Sequence, residues 1–482
     1  MSSVGSFVEP GPTLPDARVA LAGLWGDAGL PPAALERIVL SGREPALPTS
    51  FPLGTALQAA VGAAALAATE VGRLRGGPAQ AVSVDIRDAV RESACRFTID
   101  GRSPAMWDKL SGLYRCGGNL PRGWIRIHAN FAHHRDGVLR LLNLPPGAET
   151  ERSAVSQALE GWSAEGFEEA AAERGLVCSA VRTPEEWQRH PQAAAVAALP
   201  LVGMDCIDAA SCLPLLPLDG HDRPLAGLRV LDLTRILAGP VAGRTLAAYG
   251  ADVMLVNSPQ LPNIAAIAET SRGKLSTQLD LRSSRDCETL RSLIRQSDVF
   301  LQSYRPGGLA ALGFGPEALA RLRPGLVCVS LTAYGHLGPW ASRRGFDSLV
   351  QAATGINQAE AEAFGDPEPR ALPLQALDYG AAYLLAFGAL AAMWRQRTSG
   401  GSWHVRVSLA GVSRWLFEMG RLAGGTAQPS PSFDSELEES ESGFGRLAAA
   451  PHAARFSQSL AGWTRPSMPP GSHPPVWPAV KS

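Results

Sequence analysis

The sequence predicts an α/β fold, a parallel sheet wound with helices beside a smaller α+β domain, and three observations carry that prediction. Short apolar runs alternate with helical stretches from Leu225 to Leu331. A long charge-free helix at Tyr379–Trp394 feeds a Gly-rich turn and then a Val-rich strand. The composition, 45% hydrophobic and 18% charged over 482 residues, is that of a folded globular chain, and its length calls for two or three packed units.

The elements follow in chain order. Ala56–Thr69 reads as a buried helix, followed by the turn Gly76-Gly77 and a strand at Val82-Ser-Val-Asp85. A strand at Trp124–His128 and helices around His134–Leu142 and Ser163–Arg174 make up the smaller unit. Thr183-Pro-Glu-Glu186 is a capping box with proline at the first helical position. Leu213–Pro224 is Pro-rich and reads as a linker. Arg229–Leu233, the helix Val241–Tyr249 and Asp252–Val256 form a β-α-β unit, with further strands at Asp298–Leu301 and Leu326–Leu331. Tyr379–Trp394, Ser399-Gly-Gly401 and Val405–Leu409 repeat the helix–turn–strand layout of the N-terminal region, with Gly77/Gly400 and Val82/Val405 both 323 positions apart. From Gly424 the chain turns Pro-, Ser- and acid-rich and reads as an extended tail. The expected organisation is a partial first copy with the small domain at 1–212, a linker at 213–224, a second copy at 225–423 and the tail at 424–482.

Composition and motifs exclude several function classes. A net charge of −1 supplies no basic field for nucleic acid. Seven scattered cysteines without a C-x-x-C pair argue against a zinc knuckle or disulfide framework and for a reducing compartment. The first residues lack a basic segment followed by an apolar one, so a cytoplasmic location is expected, and the charge-free stretches Pro45–Thr69 and Tyr379–Trp394 read as buried helices rather than membrane spans. No G-x-G-x-x-G follows the first strand of the β-α-β unit, and no G-x-S-x-G, H-E-x-x-H or Walker loop occurs. His133-His134 invites a metal reading, but no further Cys or His stands at ligand spacing, and surface imidazoles at a helix entrance are the plainer expectation.

What remains is a carboxylate. Asp378 is the only charged residue from Ala371 to Trp394 and is followed by small residues that would let a substrate approach. Two readings stand: an N-cap, whose oxygen accepts from the free amides of the first helical turn, and a nucleophile at a helix N-terminus. At the repeat offset Asp378 falls on Thr55, so the first copy has no carboxylate there and one competent site per chain is expected.

Several ordered motifs then carry a resemblance. Leu225–Pro240, Tyr249-Gly-Ala-Asp-Val253, Arg272–Ser276 with Leu279–Arg282, Tyr304-Arg-Pro-Gly307, Tyr334–Pro339 and Gly345-Phe-Asp347 occur in the order seen in class III CoA-transferases, the CaiB/BaiF group. That group includes formyl-CoA and carnitine CoA-transferases and has α-methylacyl-CoA racemase as a relative. The resemblance runs from about Leu225 to Leu409, and Trp107–Leu142 with Thr183–Trp187 is similar to the family's later, small-domain portion, so the halves stand in unusual order. It implies a Rossmann-like sheet, an interlocked homodimer, and transfer of CoA from an acyl-CoA thioester to a small carboxylic acid through an aspartyl intermediate on Asp378, with no metal. It also implies that CoA is held by Leu237, Ala238, Leu279, Asp280, Leu281, Arg282, Ser303, Tyr304, Arg305, Arg344, Gly345, Phe346 and Asp347. Lys274 reads as structural or peripheral. Three departures matter. Leu255-Val-Asn257 replaces the usual Lys-x-Glu and puts part of the CoA clamp in question. Leu237 stands where formyl-CoA transferase has glutamine, which does not support formate or oxalate chemistry. Phe346 stands where the racemase has its histidine, and a phenyl ring cannot move a proton. The alternatives are a racemase or epimerase with another second base, and a non-catalytic CoA-binding protein.

Overall fold

The computed structural model describes residues 15–118, 123–214, 216–219, 222–433 and 436–479. Its centre is a seven-stranded sheet with the spatial order Lys274–Gln278, Asp252–Asn257, Arg229–Leu233, Val299–Gln302, Val327–Thr332, Ser402–Ser408, Gly203–Asp208. Six strands run parallel, and Gly203–Asp208 pairs antiparallel with Ser402–Ser408 at one edge. From Arg229–Leu233 the chain first winds toward Lys274–Gln278, then returns to place Val299–Gln302 on the other side. The gap between those two strands is therefore the topological switch point, where open α/β sheets leave a crevice at the carboxyl ends of the strands.

The α/β class and the main parallel strands agree with the sequence reading. Gly203–Asp208 and Lys274–Gln278 were not foreseen as strands. The second is too polar to read as a buried strand, and it is buried because Lys274 Nζ finds Asp232 Oδ2 at 2.8 Å and the Pro240 carbonyl at 2.7 Å. The helix Ala238–Ala248 passes close above that pair at Gly243, where an added Cβ would come within 2.2 Å of Asp232 Oδ2.

Two long helices fill the middle of the molecule. Ala376–Ser399 is long and apolar enough to cross a membrane, yet 94% of its most apolar window is buried among its neighbours. Leu384, Leu385, Phe387 and Leu390 are fully buried there, each removing apolar surface worth roughly 1.5–3 kcal/mol. Gly388 lets the helix approach the sheet, since a Cβ at that position would meet Val405 at 2.6 Å. It packs against Leu53–Leu74, which belongs to the N-terminal region. That region is itself a β-α-β unit: Ile38–Ser41 and Val82–Asp85 pair in parallel and flank the Leu53–Leu74 helix.

The small domain is antiparallel, with Gly112–Cys116, Gly123–Ile127 and Cys178–Ala180 backed by the helices Ala132–Leu141, Arg152–Leu159 and Ala164–Glu173 around a separate apolar core. The Thr183 capping box is present in full. The tail is not simply extended, in contrast to its Pro- and Ser-rich composition. Glu438–Ser442 and Gly445–Ala449 form a hairpin on Phe97–Ile99, and Ala454–Phe456 adds a strand to Val82–Asp85. These edges accept the tail because backbone pairing tolerates its composition. The predicted linker is also tied down, for Arg75 donates to the carbonyls of Leu216, Pro224 and Ala226. All seven cysteines are unpaired.

A buried ionic cluster links three separate segments. Arg244 contacts Glu92 at 2.8 Å and also Glu269; Arg272 pairs with Glu269, and His452 of the tail reaches Glu92 at 3.1 Å. Burial alone would raise the Glu92 carboxyl, but His452 and Arg244 hold it down at about 2. Removing one partner would leave an uncompensated buried charge, so the cluster locks the N-terminal region and tail onto the central sheet.

Candidate active site

At the carboxyl ends of the central strands the sequence builds two turns that face each other. After Arg229–Leu233, buried Asp232 accepts from the Thr234 amide at 3.0 Å and its hydroxyl at 2.5 Å, while Lys274 holds its other oxygen. This fixes the start of the turn so firmly that Ile236 sits at φ 77°, a left-handed value costly for a β-branched residue. After Val299–Gln302 comes Ser303-Tyr304-Arg305, and the Ser303 hydroxyl accepts from the Arg235 amide at 3.3 Å.

Between these turns lies a cavity of about 410 Å³. Asp378 opens onto it from the first turn of the Ala376–Ser399 helix. The turns supply Arg235, Leu237 and Ala238 on one side and Ser303, Tyr304 and Arg305 on the other. Arg344, Gly345 and Phe346 close it from above the neighbouring strand, and Phe131, His133 and His134 reach it from the small domain.

The cap expectation for Asp378 is corrected. Asp378 is the third residue of its helix, and the free first-turn amides are taken by Asp347, whose Oδ2 accepts from Leu377 N at 2.8 Å and Asp378 N at 2.9 Å. Asp347 is fully buried and receives a further bond from Gln351 on its other oxygen, so it is a support beneath the cavity rather than part of its wall. The helix needed no local cap because a carboxylate distant in sequence provides it. The Asp378 side chain is thus left for other use. Burial first, and the Asp347 charge second, push its carboxyl well above the usual carboxylate range. Burial likewise pushes Asp347 up to about 6, against the opposing pull of its hydrogen bonds. The positive end of the helix dipole favours the ionised form once a ligand arrives.

Of the residues expected to hold CoA, Leu237, Ala238, Ser303, Tyr304, Arg305, Arg344, Gly345 and Phe346 line this cavity. Leu279, Asp280, Leu281 and Arg282 do not. They follow the Lys274–Gln278 edge strand, two strands away from the switch point; Leu279 packs into a separate core, and Asp280 pairs with exposed Arg282 at 2.6 Å. Asn257, which replaces the usual glutamate, is buried and accepts from Asn263 at 3.0 Å. The expectation of surface imidazoles is corrected for His134, which is buried, while His133 is exposed. The sequence reading missed Arg235, Arg343 and the small-domain residues Phe131 and His134. Arg235 lay inside a quoted motif, whereas the others become neighbours of Asp378 only through the fold.

Phe346 stacks on His128, with centroids 3.9 Å apart and planes 13° apart, and so has an aromatic wall role. Among the described residues no group of three or more His, Cys, Asp or Glu side chains is placed to hold a metal. A second cavity of about 430 Å³ shares Arg305 and Thr332 with the first and contains Ser330 bonded to His404 Nε2 at 2.9 Å, but Asp378 does not reach it.

Residues 225–439 match the family described as CoA-transferase family III. Similar proteins include an acyl-CoA transferase of Gibberella moniliformis, 32% identical over 59% of this chain and 53% of that protein. The probable fatty acyl-CoA transferase Rv3272 of Mycobacterium tuberculosis is 32% identical over 45% of this chain and 60% of its own length. The succinate–glutarate CoA-transferase of Agrobacterium fabrum is 36% identical over 30% and 41% respectively. The chain thus spans about half the length of the curated relatives it matches.

Proposed function

We propose that this chain, whose residues 225–439 match CoA-transferase family III, moves CoA from an acyl-CoA thioester to a carboxylic acid with Asp378 as the nucleophile. The observation that carries the reading is a desolvated carboxylate at a helix N-terminus, capped by another residue and facing a cavity at the switch point of the sheet. Asp378 in its ionised form attacks the thioester carbonyl, the C–S bond breaks, and an acyl-aspartyl anhydride forms as CoA thiolate leaves. The thiolate then attacks the aspartyl carbonyl, releasing the first carboxylate and leaving an aspartyl-CoA thioester. An acceptor carboxylate attacks that thioester to form a second anhydride and free thiolate. Attack of the thiolate on the acceptor's carbonyl gives the new acyl-CoA and regenerates Asp378. Each step exchanges one carboxylate or thiolate for another, so the one proton that must leave beforehand is the proton that the desolvated Asp378 carboxyl itself retains.

Arg235, Arg305, Arg343 and Arg344 border the cavity and supply cations for CoA phosphates or an acceptor carboxylate. Small carboxylic acids are the proposed acceptors, and the Agrobacterium relative, named for succinate and glutarate, extends that class to dicarboxylic acids. A homodimer in the cytoplasm completes the proposal, with light scattering of the purified chain as its check. Incubation with an acyl-CoA and hydroxylamine should leave a hydroxamate on Asp378, detectable by mass spectrometry. Failure across a broad acyl-CoA series would refute the assignment.

A further inference from the structure

We infer that His134, brought to the Asp378 cavity by the small domain, is a specificity-determining residue that selects acyl groups carrying a hydroxyl or keto oxygen along their chain; this rests on the transferase reading above. His134 is only 5% exposed, lies in the cavity wall, and among the described residues has neither ring nitrogen bonded. Its neighbours explain why. Phe131 stands edge-on at 5.7 Å and Phe346 at 6.3 Å, and the imidazoles of His133 and His128, with centroids at 4.1 and 6.5 Å, pack against it as rings without a hydrogen bond to its nitrogens. Buried polar groups in native proteins are nearly always bonded, and an imidazole that lines a cavity without a protein partner has its partner in the ligand.

The charge state narrows the ligand chemistry. Burial, reinforced by His133 and the guanidinium groups of Arg344 and Arg235, pushes the His134 imidazole down to about 3. A neutral ring offers one N–H donor and one acceptor nitrogen but no positive charge. It therefore does not compete with the arginines for a carboxylate, and it matches a neutral oxygen such as a hydroxyl or ketone. Ile236, Leu237, Leu261 and Val177 line the same cavity and suit the apolar remainder of the acyl chain. A site built to bond a substrate oxygen rejects the analogue that lacks it, because its own buried group is then left unpaired.

The test compares butyryl-CoA with 2-hydroxybutyryl-CoA and 3-hydroxybutyryl-CoA. It reads kcat/KM in the full chain, and in Asp378→Asn it reads equilibrium binding by calorimetry, which reports preference even where no transfer occurs. At least one hydroxylated thioester should be favoured by about tenfold, the advantage should fall to near unity in His134→Phe, and His134→Gln should restore part of it. Phenylalanine keeps the ring and removes only the nitrogens, so His134→Phe should melt at or above the wild-type temperature. Equal preference among the three thioesters, or a preference that survives His134→Phe, overturns the assignment. Solvent deuterium appearing at the acyl α-carbon in a His134-dependent way also overturns it, in favour of proton transfer. Absence of transfer together with a His134-dependent binding preference refutes the transferase reading and leaves this one standing.

Discussion

Replacing Asp378 with Asn separates the chemistry of this carboxylate from its structural role. The structure sets both magnitudes. The amides of residues 377 and 378 are bonded to Asp347, and the Asp378 carboxylate receives no hydrogen bond among the described residues, so asparagine removes no cap worth its usual ~1 kcal/mol. It does remove a carboxyl that burial and Asp347 hold well above its ordinary range. A carboxyl with a raised folded-state value supports the fold fully at pH below its unfolded value of about 4, and that support fades as pH climbs toward the folded value. Asp378→Asn should therefore equal the wild type in stability near pH 4 and exceed it increasingly as pH rises to 7. In a chain of 482 residues 1 kcal/mol corresponds to roughly 1 °C, so the expected change in Tm at pH 7 is zero or upward by a few degrees. Transfer, by contrast, should fall by at least ~10³-fold, since an amide cannot form the anhydride. Coupled assays of acyl-CoA consumption alongside thermal melts at both pH values provide the check. Wild-type turnover in Asp378→Asn would remove the nucleophile from the mechanism, and a Tm loss of about 1 °C or more would restore the cap reading.

In wild type, kcat/KM should rise with pH along an acid limb near or above about 6, because the buried Asp347–Asp378 pair gives up its protons late, and a profile already flat at about pH 5 would contradict that pairing. Arg305→Ala should raise KM for the acyl-CoA by about tenfold while Arg282→Ala changes it less than about twofold, since Arg305 lines the cavity and Arg282 pairs with Asp280 on the exposed edge; initial-rate kinetics distinguish them. Lys274→Met should cost about 3–5 kcal/mol, seen as a Tm drop of roughly 3–5 °C, because it strands Asp232 as a buried charge beneath the Thr234–Leu237 turn. Thr55→Ala should leave transfer rates within about twofold of wild type, as that position lies in the N-terminal β-α-β unit and not on the cavity.

Strand–helix alternation from Arg229 to Thr332 was legible because every parallel strand there except the polar Lys274–Gln278 is a short apolar run, a pattern the sequence displays directly. Asp378 was legible because a lone carboxylate in an apolar helix start is rare enough to stand out. Its neighbours were not. Asp347 is 31 positions away and acts through two backbone amides, a relation no local spacing encodes. His134 and Phe131 come from a domain more than two hundred positions upstream, and only the docking of that domain against Phe346 brings them to the cavity. Leu279–Arg282 failed to join the cavity for a topological reason: it leaves the sheet at the far edge, not at the switch point.

The two long helices show which part of the site is scaffold and which is chemistry. Thr55 is the third residue of Leu53–Leu74, and its amide donates to Glu44 Oε1 at 2.7 Å. Asp378 is the third residue of Ala376–Ser399, and its amide donates to Asp347 Oδ2 at 2.9 Å. Both helix starts are thus satisfied by a buried carboxylate from an upstream segment, a loop for Glu44 and the first turn of the helix Asp347–Ala353 for Asp347, and burial raises that carboxyl in both cases. The capping arrangement is therefore a means of starting a long buried helix beside a parallel strand, and it says nothing about catalysis. Function enters through what the cap leaves free. At Thr55 the side chain is a hydroxyl, 3% exposed, enclosed by the core and donating to the Pro15 carbonyl at 3.5 Å. At Asp378 it is a carboxylate facing a cavity bordered by four arginines. The same backbone solution gives a structural helix in one half and a candidate nucleophile in the other, because only the second stands at the carboxyl ends of a sheet where the strand order reverses and leaves room for a ligand.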